Sequence, residues 1–338
     1  MKQAVITGVR QAELADVAEP RPFENWVVVK IHAAPMCTEY KSFIAGHNAS
    51  LMGHEAAGEV VAAAQPCRVK AGDRVAVMPL AGCGQCEYCL SGDFIHCARA
   101  LDFVGLTGQE TGHSTMAQYV LKPDWLLPKL PDDMSYAHGG LTCCALGPSF
   151  GAMQTMNVSA FDTVLITGLG PVGLGAVVNA RYRGARVIAA ESHPWRVQRA
   201  QEMGVAAVID PRSDDPLGQI RALTHGRGAD CAVDCSGTVQ AERLCIDATR
   251  RKGKVAFIGE CNDDLAIRIS PDMIRKGLTL IGAWHYNLND IAKVLQVIQN
   301  SPLIDLLVSH TFPMSRIQEA FELQASGECA KVILDPWG

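Results

Sequence analysis

A doubly wound α/β domain joined to a mostly β domain is the fold class this sequence predicts, and three observations predict it. The local pattern changes at about residue 160, from short strands and turns to an alternation of strands and helices. A glycine turn, Gly168-x-Gly170-x-x-Gly173, stands at the first strand-to-helix junction after that change. Four cysteines, Cys83, Cys86, Cys89 and Cys97, follow the spacing C-x2-C-x2-C-x7-C inside the β-rich half. The 338 residues exceed what one hydrophobic core usually holds, so two domains are expected.

Residues 1–150 read as the mostly β domain. VITGVRQAELADV and WVVVKIHAA look like strands, and GEVVAAA, DRVAVMP and AQYVLKP repeat the pattern, with Pro20, Pro22, Pro66 and Pro79 between them. The cysteine lobe is inserted at about 80–100. Residues 151–288 read as the parallel sheet: TVLITG, ARVIAAE, AAVID, ADCAVDCSG, KVAFIG and LTLIGAW are strands, with helices such as GLGAVVNARYRG and HPWRVQRAQEMG between them. Residues 289–338 hold an amphipathic helix (NDIAKVLQVIQN), LVSHTFP, a helix around RIQEAFELQ and a last strand AKVILDP. This tail does not continue the strand–helix alternation and is expected to pack back onto the first domain.

Composition narrows the function classes. A net charge of −5 without a basic cluster excludes a nucleic-acid surface. Two long runs lack Asp, Glu, Lys and Arg, Met134–Phe161 and Thr163–Ala180, but their polar residues, glycines and Pro171 exclude membrane spans. The N-terminus alternates like a strand and has no signal-peptide core, so a cytoplasmic protein is expected. Thirteen cysteines in such a chain read as metal ligands plus reduced core thiols.

Thiolates at the spacing of Cys83, Cys86, Cys89 and Cys97 converge on a tetrahedral zinc, and four sulfur ligands leave no position for water, so this zinc is expected to be structural. Gly82, Gly84 and Gly92 supply the positive φ angles such a loop needs. In the glycine turn, Gly168 allows the tight bend, Gly170 lets the backbone approach a pyrophosphate, and Gly173 lets the helix lie close to the strand. Pro171 and Val172 open that helix, whose N-terminal N–H groups suit phosphates. Glu191 ends the next strand, 18 positions past Gly173, where a carboxylate binds ribose hydroxyls and repels a 2′-phosphate. NAD is therefore expected over NADP, with Arg196 and Arg199 just beyond softening the preference. His193 and Trp195 lie near the adenine edge or on a plain surface loop.

Gly53-His54-Glu55 precedes a small-residue strand, and Cys37 follows VVVKIHAAP. With the cysteine lobe, the turn GLGPVG and Glu191, these elements stand in the order found in zinc-dependent medium-chain dehydrogenases of the alcohol/polyol type. The chain resembles that family over nearly its whole length. The resemblance implies a GroES-like catalytic domain beside a Rossmann NAD-binding domain, and two zinc ions per subunit. It also implies a catalytic zinc held by Cys37 and His54. A third ligand comes from GGLTCCALG, where Cys143 is favoured over Cys144, and Glu55 is the other candidate because it swings in as a ligand in polyol-type relatives. The strand LTLIGAW with Trp284 resembles the edge through which such enzymes pair, so a homodimer or homotetramer is expected.

One departure stands out. Family members carry a hydroxyl two residues after the cysteine, where it relays the substrate proton; this chain carries Glu39 in Cys37-Thr38-Glu39-Tyr40-Lys41-Ser42. Glu39 takes the proton, binds a substrate hydroxyl, or points outward while Thr38 and Ser42 substitute. The connection from Cys37 to His54 is also shorter than usual, which puts His47 forward for the substrate wall. His113, His225 and His310 lack ligand spacing, and Cys231, Cys235 and Cys245 read as core residues. The expected reaction is reversible oxidation of a secondary alcohol (a polyol, sugar or cyclitol) to its ketone, with hydride passing to nicotinamide. A simple aliphatic alcohol is the alternative. A zinc-free quinone or enoyl reductase and a non-catalytic NAD-binding sensor are the rival classes, and the metal motifs argue against both.

Overall fold

The computed structural model describes residues 1–99 and 101–338, so Ala100, at the end of the expected 80–100 lobe, lies outside the described residues. Two compact units divide the chain. The first comprises Met1–Cys144, Asn287–Asn300 and Val308–Gly338, and the second Ala145–Tyr286 and Ser301–Leu307. The expected tail 289–338 is thus interrupted: Ser301–Leu307 goes with the second unit, where Ile304 and Leu307 are buried and Arg199 donates to the Leu306 carbonyl at 3.2 Å.

The first unit begins with a hairpin. VITGVRQAELADV is not one strand but parts of two, β1 (Lys2–Gly8) and β2 (Gln11–Asp16), paired antiparallel. The break falls where Arg10 takes a φ of 51°. The spine is β3 (Trp26–Pro35), whose run of Val and Ile residues is buried on both faces: Val27, Val29 and Ile31 on one side, Trp26 and Val28 on the other. It pairs antiparallel with β4 (Ala56–Ala62), which carries β5 (Arg74–Val77) on its far edge, and with β6 (Tyr119–Pro123). A strand so enclosed holds its ends in place, and the chain leaves β3 directly into Met36 and Cys37.

The second unit holds a six-stranded sheet, all of whose pairings are parallel. Its strands are β7 (Thr163–Thr167), β8 (Arg186–Ala190), β9 (Ala207–Ile209), β10 (Ala229–Asp234), β11 (Thr249–Phe257) and β12 (Thr279–Gly282). Their order across the sheet is β9-β8-β7-β10-β11-β12, the doubly wound order whose direction of winding reverses between β7 and β10. The helix Pro171–Tyr182 starts at that reversal. Gly173 is what brings it there, since a Cβ at this position would stand 1.9 Å from the Gly168 carbonyl oxygen. The helix Val239–Ala248 was not among the elements read from the sequence.

The chain then returns to the first unit with β13 (Val308–Pro313) and β14 (Lys331–Asp335), paired parallel, and β14 joins β3 antiparallel. In register, Ile333 faces Pro35 and Leu334 faces Ala34, and the Met36 N–H donates to the Val332 carbonyl at 2.9 Å. The last strand of the chain therefore runs beside the end of β3, next to Cys37.

In the cysteine lobe a short helix, Glu87–Ser91, follows Cys86 and ends at Gly92, whose φ is 95°. Gly84 also has positive φ, but Gly82 does not; its missing side chain instead leaves room for the Cys89 sulfur, 2.7 Å from where a Cβ would stand. The four sulfurs lie within 4.8 Å of one another. Cys86 Sγ is 3.5 Å from Cys89 Sγ and 3.8 Å from Cys97 Sγ, far beyond the roughly 2.05 Å of a disulfide. Tetrahedral zinc–sulfur bonds of about 2.3 Å put sulfurs about 3.8 Å apart, so the lobe has the dimensions of a four-thiolate zinc site. The Gln85 N–H and burial act oppositely on Cys83, and the hydrogen bonds prevail to bring its thiol down to about 6. Cys86→Ala is expected to remove one zinc per chain by elemental analysis and to lower Tm by about 5 °C or more, at about 2–4 °C per kcal/mol for domains of this size.

Candidate metal centre

The second cluster is assembled from four separate segments of the first unit. Cys37 stands just past the end of β3. His54 and Glu55 stand just before β4, after Gly53, whose φ of +83° turns the chain into the strand. Cys144 follows the helical turns of 136–143, and Lys331 opens β14. One ligand atom from each of Cys37, His54, Glu55 and Cys144 lies within 4.8 Å of all the others.

Cys143 is not in this group. Its sulfur points to the Val77 carbonyl oxygen at 3.3 Å in the core, and burial pushes its thiol up to about 12. Cys144, the next residue, faces the opposite way: its Sγ is 3.2 Å from His54 Nε2, and its N–H donates to Glu55 Oε2 at 3.1 Å. The expectation that Cys143 completes the site therefore gives way to Cys144. Cys144 also hydrogen-bonds Cys37. That contact, first among its causes, holds the Cys37 thiol well below the ordinary range and the Cys144 thiol well above it.

Glu39 does not point outward. Its side chain is 10% exposed; Oε1 is 2.9 Å from His54 Nδ1 and Oε2 accepts the Cys37 N–H at 2.9 Å. Both oxygens are thus engaged with residues of the cluster. The imidazole presents Nδ1 to Glu39 and Nε2 to Cys144 and Glu55. Burial works against a charged imidazole, but Cys37, Glu39 and Glu55 outweigh it and push His54 up to about 11. Thr38 and His47 are exposed, and neither is in the ligand group.

Glu55 has no exposed side-chain surface and pairs with Lys331, equally buried, at 2.6 Å. Burial, opposed by Lys331, pushes the Glu55 carboxyl up to about 7. Lys331 is raised despite its burial, Glu55 foremost among the causes, so its ammonium is held charged. Gln324, also buried, donates from Nε2 to the Cys37 carbonyl at 2.6 Å. Lys331 and Gln324 were missed in the sequence. The signal for Lys331 was a lone charge inside the apolar run Cys329–Leu334.

Two thiols, an imidazole and a carboxylate within reach of one another form a donor set that fits zinc. The lobe's four thiols make the other ligand group found among the described residues.

In the second unit, Gly168 has a φ of +77°, and a Cβ on Gly170 would meet no atom within 4 Å, so the backbone there is bare enough to admit a phosphate. Pro171 begins the helix, and Gly170 precedes it in an extended conformation. Glu191, 8% exposed, braces this turn. Its Oε2 accepts the Leu169 N–H at 2.7 Å, while Oε1 accepts those of Ser192 and His193 at 2.8 and 2.9 Å. Of the roughly four acceptor sites of a carboxylate, three are used by the backbone. Arg196 Nη1 lies 3.9 Å from Oε2.

Residues 24–132 match the family model of the alcohol dehydrogenase GroES-like domain, and residues 171–300 that of the zinc-binding dehydrogenases. A zinc-type alcohol dehydrogenase-like protein of Escherichia coli (strain K12), YphC, is 33% identical over 352 residues, covering 99% of this chain and 98% of its own. The sorbitol dehydrogenase of Bacillus subtilis (strain 168) is 28% identical over 351 residues, covering 99% and 97%. The crystal structure of 2R,3R-butanediol dehydrogenase from Bacillus subtilis superposes with a TM-score of 0.85 at 25% identity, covering 99% of each chain. The doubly wound parallel sheet, the mostly antiparallel GroES-like sheet and these matches lead to one conclusion: the chain belongs to the zinc-dependent medium-chain dehydrogenase family and is an oxidoreductase of the alcohol dehydrogenase type.

Proposed function

We propose that the protein interconverts a secondary alcohol carrying a neighbouring hydroxyl, of the polyol, sugar or cyclitol class, and its ketone, with NAD as the hydride acceptor. The observation that carries this reading is the convergence of Cys37, His54 and Cys144 while Glu55 is tied to Lys331. Three protein ligands are what a catalytic zinc site requires, because the fourth position belongs to substrate. The relatives support the substrate class: sorbitol and 2R,3R-butanediol are both secondary alcohols with an adjacent hydroxyl.

Zinc bound there supplies Lewis acidity that lowers the pKa of a coordinated hydroxyl. This chain's own residues do the rest. Glu39 accepts Nδ1–H of His54, which fixes the tautomer that leaves Nε2 for the metal, and steadies Cys37 through its N–H. With both oxygens so used, Glu39 is a positioning residue rather than the proton carrier or substrate clamp, and the polyol assignment does not rest on it. In the second unit the turn 168–173 offers backbone N–H groups to the pyrophosphate. Glu191 places negative charge at the end of β8, which disfavours a 2′-phosphate. The edge strand β12, with Trp284, Ile269 and Ile274 exposed nearby, supports pairing of two copies. No helix among the described residues is long and apolar enough to cross a membrane.

Three measurements test this reading. Initial rates of NAD reduction across polyols, sugars, cyclitols and simple alcohols are expected to show turnover concentrated on vicinal diols; preference for ethanol or propan-2-ol would overturn the substrate class. Cys37→Ala and Cys144→Ala are each expected to lose the catalytic zinc and turnover, while Cys143→Ala keeps two zinc ions per chain. Glu39→Gln is expected to weaken catalytic-zinc affinity about 10–100-fold in a chelator competition. Unchanged affinity with a fall in kcat alone would mean that Glu39 carries the proton.

A further inference from the structure

We infer that Gln324 is a positioning residue for the metal centre: with Glu39 it clamps the backbone on both sides of Cys37, and it serves that ligand rather than the packing of the core. The inference rests on the zinc reading above.

Cys37 lies between the end of β3 and the helix Tyr40–Ala45, one residue past the Met36 N–H that donates to the Val332 carbonyl. Its own backbone groups are met by side chains instead. Glu39 Oε2 accepts the Cys37 N–H at 2.9 Å, and Gln324 Nε2 donates to the Cys37 carbonyl at 2.6 Å. A carbonyl only accepts, so the amide end that faces it is the NH2, and the orientation of the glutamine is settled. The two side chains come from elements that are locked together. Phe43, on the helix that follows Glu39, stacks on Phe321, about a turn before Gln324, with ring centroids 5.0 Å apart. With both peptide groups that flank its Cα held, Cys37 can move its sulfur only by side-chain rotation. Partners of this kind orient a ligand and strengthen its hold on a metal.

Packing gives no reason for a glutamine at this position. Gln324 shares the helix Ile317–Ser326 with Ile317, Ala320 and Phe321, all buried in the core of the first unit, and is itself 6% exposed. Its Oε1 is buried and has no hydrogen-bond partner among the described residues. An acceptor left in that state opposes folding, and a methionine of similar length would fill the same space without it. The amide therefore stands here for what its Nε2 holds. A local rule broken inside a core is expected where a functional site gains from it.

The test uses the full-length protein with zinc in the cysteine lobe and cobalt(II) at the catalytic site, read from the sulfur-to-cobalt charge-transfer bands and by chelator competition. Gln324→Met is expected to shift these bands and to weaken cobalt binding at least about tenfold, a size seen when partners of metal ligands are removed. With the lobe alone loaded, the Tm of this variant is expected to equal or exceed the wild-type value. In Gln324→Glu the new side chain donates to the carbonyl only while protonated. Its cobalt affinity relative to wild type is therefore expected to be near unity at about pH 6 and to fall towards about pH 9, a range that spans the pKa of a buried carboxyl. Wild-type cobalt affinity with unmoved bands in Gln324→Met overturns the assignment. A weaker affinity matched by a lower Tm of the lobe-only form also overturns it, because that marks a packing role. If Gln324→Met does not fold, Gln324→Glu decides: a ratio to wild type that stays constant with pH overturns the assignment. A wild-type protein that takes up metal only in the cysteine lobe sinks the zinc reading, and the assignment with it.

Discussion

The buried ion pair between Glu55 and Lys331 is the interaction on which the arrangement of the first unit depends. Cys37, His54, Glu55 and Cys144 are gathered with Glu39 close by, which concentrates anionic groups around a half-buried imidazole and a fully buried Glu55. Such a cluster persists only if cations answer it. One is the metal for which the donors are suited. The other is Lys331, which arrives on the last strand of the chain, 276 residues from its partner. Removing one member of a buried pair costs about 3–5 kcal/mol, a large share of a domain's net stability. The return of the tail to pair with β3 is therefore more than an extra strand on a sheet, because it carries the countercharge.

The same economy of charge explains Glu39. A longer side chain stands where a hydroxyl is usual, and it reaches both the imidazole Nδ1 and the Cys37 N–H. One carboxylate thereby orients a nitrogen ligand and steadies the backbone of a sulfur ligand. The six-residue helix that follows begins at Tyr40, so Glu39 lies at its start and its backbone position is fixed by the first helical turn. A residue that reads as an anomaly in the sequence is accounted for once both its oxygens have partners.

In the second unit the dependence is more local. Gly173 admits the helix against the strand, Gly168 turns the chain, and Glu191 ties the end of β8 back to Leu169 in the turn. The carboxylate thus has a structural part in shaping the turn. This combination was only half legible: the glycines and the acidic strand end are spaced as the sequence suggests, but the three backbone N–H bonds that Glu191 accepts depend on how β7 and β8 lie side by side.

What the sequence by itself determined are the features that repeat over short distances: the four-cysteine spacing, the glycine turn after a buried strand, and the alternation of strand and helix beyond residue 160. Each is set by geometry within a few residues, so residue type and spacing suffice. Tertiary structure decided the rest. Cys143 and Cys144 are neighbours with the same chemistry, and only the packing of their turn against Val77 and Glu55 sends one sulfur into the core and the other to His54. VITGVRQAELADV alternates as one strand would, and only the pairing of its halves makes it a hairpin. Lys331 lies in an apolar run that suits a buried strand, and nothing nearby in the chain announces its partner. Burial and charge pairing depend on which distant segments meet, and that is decided by the fold rather than by any local pattern.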